Sequence, residues 1–256
     1  MEETKSVWTV VDGLRMHARV AQEAAFEGDP AVVLVHGLVV SGRYMVPTLQ
    51  RLAPYYRVYA PDLPGFGRSE KPPRALDVSG LSDALAGWMR AAGLEGATLV
   101  GNSFGCQIIA DLAVRRPGLV GRAVLQGPTM DPAARSVPQQ VGRFLLSIPR
   151  DSLSLLPIEF LDYLRAGTGR AWRTFRYALQ DRIEDRLPAM RIPVLVVRGS
   201  RDPIAPQRWA EEVTRLLPEG RLVVVSGAAH AVNYGSPSRF ARAIRAFLES
   251  DEEGPG

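Results

Sequence analysis

The chain has 256 residues, 46% of them hydrophobic, with a formal net charge of +4. That length and apolar content suit one large α/β domain with a sizeable core better than two small domains. The basic residues are almost all arginine, only Lys5 and Lys71 being lysine, and they are scattered among acids, which speaks against a nucleic-acid surface. Cys106 is the one cysteine, which excludes an internal disulfide; with no signal-peptide core and no run of membrane-spanning length, a cytoplasmic chain with no membrane partner is expected.

In chain order, "VWTVVD" and "LRMHARV" around Asp12-Gly13 read as a hairpin. "AVVLVHG" (31–37) is an uninterrupted apolar run, as a strand covered on both faces requires. "YMVPTLQRLAP" reads as helix despite its proline, and "YRVYAPD" (56–62) as strand. "LSDALAGWMRAAG" is helical, "ATLVGNS" (97–103) a second buried strand, "FGCQIIADLAVRRP" a helix, and "GRAVLQG" (121–127) a strand. From about 131 to 188 no strand is predicted, only helical stretches such as "QQVGRFLLSI", "IEFLDYLRAG" and "AWRTFRYALQD". The alternation resumes with "PVLVVRGS" (193–200), "QRWAEEVTRLLP", "RLVVVSG" (221–227) and "SRFARAIRAFLES"; the acidic, glycine-rich end at 251–256 reads as a frayed tail. Such alternation predicts a mostly parallel sheet with helices on both faces, interrupted by a helical insertion.

"VGNSFGC" (100–106) holds Ser103 between Gly101 and Gly105, after a strand and before a helix. A serine on so sharp a turn needs small neighbours; this is the nucleophile-elbow pattern. Its hydroxyl needs a base oriented by an acid. Of three histidines, His17 alternates with Arg15 and Arg19 and is expected to face solvent, while His36 closes a buried strand ahead of the serine. His230 is the one histidine after Ser103 and is the base by elimination. Asp202, just past a strand in "RGSRDPIAP", is the preferred acid, with Asp131 in "GPTMDPAA" as its rival. The backbone N–H groups of Phe104 and of Leu38, in "HGLVV", are the expected oxyanion donors, with His36 shaping that loop. No histidine–cysteine spacing suggests a metal, and "GFGRSE" lacks the context of a nucleotide loop.

With "HGLVVSGRYM", "YAPDLPGFGRSEKP", "GNSFGCQ", "VRGSRDPIAP" and "AAHAVNYGSP" in this order, the chain resembles the α/β-hydrolase family over about residues 25 to 250. The resemblance implies a core of 1–130 and 189–250 built on about eight strands, a helical cap at 131–188, and hydrolysis without a cofactor. Val39-Val40 stand where lipases have a glycine-rich run, and Ser103 stands where dehalogenases of this fold have aspartate. An ester or lactone of a small molecule is the expected substrate of a monomer or homodimer. Carbon–carbon cleavage of a diketone is the rival, and a non-catalytic receptor the third reading. Val39, Met130, Phe144, Trp172, Ile204 and Val232 are the candidate pocket residues. Leu145, Ile148, Phe160, Tyr163 and Phe175 read as pocket wall or as packing between cap and sheet.

Overall fold

The structure, a computed structural model, describes residues 4–21 and 31–250; the predicted tail at 251–256 lies outside them. Eight strands form one sheet: β1 (Lys5–Val11), β2 (Leu14–Ala21), β3 (Ala31–Val35), β4 (Arg57–Pro61), β5 (Ala97–Asn102), β6 (Val120–Gln126), β7 (Val194–Gly199) and β8 (Gly220–Val225). Their spatial order is β1-β2-β4-β3-β5-β6-β7-β8, with β2 antiparallel to both neighbours and the remaining pairs parallel.

The helices are α1 (Val46–Leu52), α2 (Val78–Ala91), α3 (Phe104–Arg115), α4 (Val137–Ser147), α5 (Leu156–Ala166), α6 (Thr168–Gln180), α7 (Ile183–Arg186), α8 (Gln207–Leu216), α9 (Val232–Gly235) and α10 (Pro237–Glu249). Pro47 sits in the first turn of α1, where its missing N–H costs no helical hydrogen bond. Asp77 caps α2 by accepting from Gly80 N at 2.8 Å. The short α9, immediately after His230, was not expected from the pattern.

The period-two alternation of each central strand divides its side chains between two cores. Val33 and Val35 of β3 join Leu85, Trp88, Ile108 and Trp209 on one side of the sheet. Val32 and Leu34 join Leu49, Leu52, Phe240 and Ile244 on the other. The apolar runs at β3, β5 and β7 are continuous because both faces are covered. Among the described residues, none between β6 and β7 is in a strand, and that stretch holds α4 to α7.

His17 corrects a sequence expectation. It is fully buried, because β2 is an interior strand and Asp62 supplies a partner: His17 Nδ1 lies 2.9 Å from Asp62 Oδ2. Arg19 donates to Asp62 Oδ1 at 2.8 Å, and the N–H groups of Gly42 and Arg68 donate at 2.7 and 2.9 Å. Asp62 therefore pins β2, the turn leading into α1 and the loop after β4 to one point. Burial pushes its carboxyl pKa up, but the His17 hydrogen bond, the Arg19 charge and the Arg68 N–H prevail and bring it to about 2.

A depressed carboxylate stabilises the fold above its unfolded pKa and loses that contribution as pH falls toward its folded pKa. For Asp62 the contribution is about 2 kcal/mol, present above about pH 4 and lost on the way to pH 2. Asp62→Asn leaves Arg19 without its countercharge and is expected to cost about 3–5 kcal/mol in urea unfolding at pH 7. The gap between variant and parent narrows as the pH is lowered through that window.

Candidate active site

Ser103 occupies the corner between β5 and α3 at φ 55° and ψ −115°, a backbone region that costs a non-glycine residue about 1–3 kcal/mol. Its N–H donates to Gln126 O at 2.8 Å, tying the corner to the end of β6. The flanking glycines answer to contact distance. A Cβ on Gly101 would stand 2.8 Å from the Gly105 carbonyl carbon, and one on Gly105 would stand 2.6 Å from Val35 O. Strand, helix and neighbouring strand touch backbone to backbone here, and a larger residue at either place would push them apart.

Asp202 follows β7 and is fully buried at its side chain. Oδ1 accepts from Ile204 N at 2.8 Å and Ala205 N at 3.0 Å, leaving Oδ2 to face His230 Nδ1 at 2.8 Å. With Nδ1–H held by the carboxylate, Nε2 is the basic nitrogen of the ring. Burial alone lowers the His230 pKa, but the Asp202 charge and hydrogen bond, helped by the charges of Asp151 and Glu159, raise it above the ordinary value. Asp131, the rival acid, is turned elsewhere: it pairs with Arg143 at 2.8 Å and with Arg208, and caps Ala133 N at 3.0 Å.

The loop after β3 lies against the serine. A Cβ on Gly37 would stand 3.5 Å from Ser103 Cβ and 2.7 Å from Asn102 Oδ1. The next residues are Leu38 and Val39, both half-buried, with Val39 at φ 57°, an outlier for a β-branched side chain. His36 holds this loop: its Nδ1 bonds Gly37 O at 2.9 Å and its Nε2 accepts from Leu63 N at 3.1 Å. Burial lowers its pKa, in keeping with a neutral imidazole that accepts at one nitrogen. Phe104 is the first residue of α3, so its N–H has no intrahelical acceptor.

Met130, Ile204 and Val232 are buried; Phe144 is 49% and Trp172 51% exposed. Ile204 meets the site through its backbone N–H on Asp202.

Sequence reasoning missed the polar groups that join these loops. Tyr44 Oη donates to Asn102 Oδ1 at 3.0 Å, Asn102 Nδ2 to Gln126 Oε1 at 2.6 Å, and Gln126 Nε2 to His230 O at 2.6 Å. All three side chains are buried. Gly127, the next residue, lies under the imidazole at φ 56°, where a Cβ would stand 2.9 Å from His230 Cε1. Gln126 ends β6 after the apolar run Ala123–Leu125 and Gly127 follows it, which was the available signal. Asp151 was also missed: its Oδ1 accepts from Ala231 N at 2.8 Å, joining the helical insertion to the histidine loop. Glu159 is pushed up to about 7 by burial and by the Asp151 charge.

Comparison with known proteins finds hydrolases among those the chain is similar to. The pimeloyl-[acyl-carrier protein] methyl ester esterase of Neisseria meningitidis serogroup B is 29% identical over 244 residues, covering 85% of this chain and 92% of that protein. The 2-(acetamidomethylene)succinate hydrolase of Mesorhizobium japonicum is 25% identical over 246 residues, covering 86% and 88%. A thermophilic esterase from Thermogutta terrifontis, 23% identical, superposes with a TM-score of 0.78 over 97% of this chain and 99% of its own, a likeness of fold. The model of the alpha/beta hydrolase family matches residues 32–243, and with the sheet order and the elbow in place the chain belongs to that family.

Proposed function

We propose that the protein is a serine hydrolase that cleaves a carboxylic ester or lactone of a small molecule through an acyl-serine intermediate. The observation that carries this reading is the buried Asp202–His230 hydrogen bond of 2.8 Å at the same sheet edge as a serine held at positive φ. His230 Nε2 takes the proton of Ser103 Oγ as the oxygen bonds the carbonyl carbon, and Asp202 stabilises the imidazolium that results. The N–H groups of Phe104 and Leu38 hold the oxyanion. The imidazolium then protonates the departing alkoxide, and a water activated by His230 releases the acid. Water is the one co-reactant, so no cofactor enters the balance. Residues 131–188 serve as a cap over this site, and the setting we propose is the cytoplasm.

Carbon–carbon hydrolysis of a diketone ranks second. Its substrates usually carry a carboxylate that wants an arginine, and Arg143, whose guanidinium lies 3.3 Å from Ile204 O, already pairs with Asp131.

Ser103→Ala is expected to lower kcat on short p-nitrophenyl esters by roughly 10⁴ to 10⁶. A fluorophosphonate should label Ser103 by mass spectrometry; equal labelling of the alanine variant refutes the assignment.

Asp202→Asn should lose far more activity than Asp131→Asn, because only Asp202 reaches the imidazole. The comparison needs kcat/KM together with thermal melts of both variants. If Asp131→Asn is the more damaging while still folded, the acid is Asp131.

A base with a raised pKa places the acid limb of the kcat/KM profile above pH 6.5, with activity rising as His230 loses its proton. Asp151→Asn keeps an oxygen for Ala231 N but removes a negative charge that favours the imidazolium. Its acid limb should therefore move to lower pH; a limb that stays in place shows that Asp151 does not act on the base.

A further inference from the structure

Helix α5 is divided lengthwise. Ile158, Glu159, Asp162 and Ala166 face inward; Asp162, fully buried, accepts from Ser41 Oγ at 2.6 Å. The opposite face should be polar if it met only water. Instead it shows Leu156, Phe160 and Leu164, spaced by four residues and 40%, 63% and 58% exposed, with Leu161 and Tyr163 beside them. Leu153, in the turn just before the helix, continues the stripe at 69% exposed. Trp172 stands exposed on α6, which packs against α5. Such a contiguous helical stripe is more than the scattered apolar residues normal on a surface.

The exposed charges of the helical stretch that carries it have one sign. Among residues 137–180 the exposed charged side chains are Arg150, Arg165, Arg173 and Arg176. The acids of the same stretch turn inward: Asp151 to Ala231 N, Asp162 to Ser41, and Glu159 to a site where burial raises its pKa. Arg165 lies 3.9 Å from Asp162 at its nearest, on the flank of the stripe.

We propose that the outer face of α5 docks on an anionic lipid surface, with Leu153, Leu156, Phe160 and Leu164 entering the boundary of the acyl chains and the arginines meeting the headgroups. Apolar side chains on one face with arginine beside them are what an interfacial helix presents, and basic side chains near an anionic leaflet each add about 1 kcal/mol. A second copy of this chain fits the same face less well, because a two-fold contact would set arginine against arginine. The attachment is peripheral, since no helix among the described residues is long and apolar enough to cross a membrane.

The test is co-sedimentation of the full chain with phosphatidylcholine vesicles and with vesicles of phosphatidylcholine and phosphatidylglycerol; binding is the readout, so the outcome is independent of the proposed hydrolysis. The anionic vesicles should retain the protein, less so as salt rises. Phe160→Ser with Leu164→Ser should abolish retention, and Arg165→Gln with Arg173→Gln should weaken it about thirtyfold. Both variants act on outward positions, and their thermal melts should match the parent. Emission of Trp172 should be quenched by brominated lipid, with Trp172→Phe separating it from exposed Trp8. No retention by anionic vesicles overturns the proposal. So does retention that neither variant changes, or a concentration-dependent dimer that Phe160→Ser dissolves.

Discussion

The side-chain amide of Gln126 reaches both loops that the proposed chemistry needs. Its oxygen accepts from Asn102, the residue before Ser103, and its nitrogen donates to the backbone of His230, both at 2.6 Å. Its own carbonyl takes the N–H of Ser103. β6 lies beside the strand that ends at the elbow, and its last residue reaches from there to the loop after β8 that carries His230. Each of these buried bonds is worth about 1 kcal/mol when made and about 1–3 when one partner is left alone. The strained backbones of Ser103 and Val39 persist because this network and the touching glycines leave the chain no cheaper conformation.

Asp62, Asp131, Asp151 and Glu159 divide into two that an arginine accompanies and two that none does. Asp62 has Arg19 and Asp131 has Arg143 and Arg208, and both titrate below the ordinary range. Asp151 and Glu159 have a backbone N–H or each other, and both titrate above it. The first pair are fixed charges that hold architecture. The second pair act on His230, where each negative charge favours the protonated imidazole, and burial brings Glu159 to about 7, so that its charge is lost within the neutral range. The arrangement couples residues 151 and 159 to the proposed base His230 through charge as well as through the Asp151–Ala231 bond.

Most of the sheet was legible because its signal is local: apolar runs at β3, β5 and β7 have the length and composition of covered strands, and Gly101, Ser103 and Gly105 lie within five residues of chain. The facing of Asp202 and His230 was inferred from chain order, and the structure brings the two together. What escaped was long-range. His17 looks solvent-facing between two arginines until Asp62, 45 residues on, arrives to bury it. Gln126 reads as an ordinary strand end because its partners lie 24 and 104 residues away. The helical insertion was the least legible part, since an apolar stripe in sequence does not say whether sheet, substrate or an outside surface will cover it.

Helix α5 shows how that ambiguity resolves. Phe160 reads as pocket wall or as packing between cap and sheet, yet the helix can bury only one side against the domain, and its carboxylates Glu159 and Asp162 already occupy that side. Placing carboxylates inward is unfavourable unless something there needs them: Asp162 receives the Ser41 hydroxyl, and Glu159 stands in the field of His230. The apolar residues are therefore displaced outward by a polar demand from within, and an outward apolar stripe of this kind marks a surface for docking. The same rotation of the helix that turns Glu159 inward, where its charge acts on His230, thus also sets leucine and phenylalanine on the outside, so the electrostatics of the proposed site and the proposed docking face are two consequences of one helical phase.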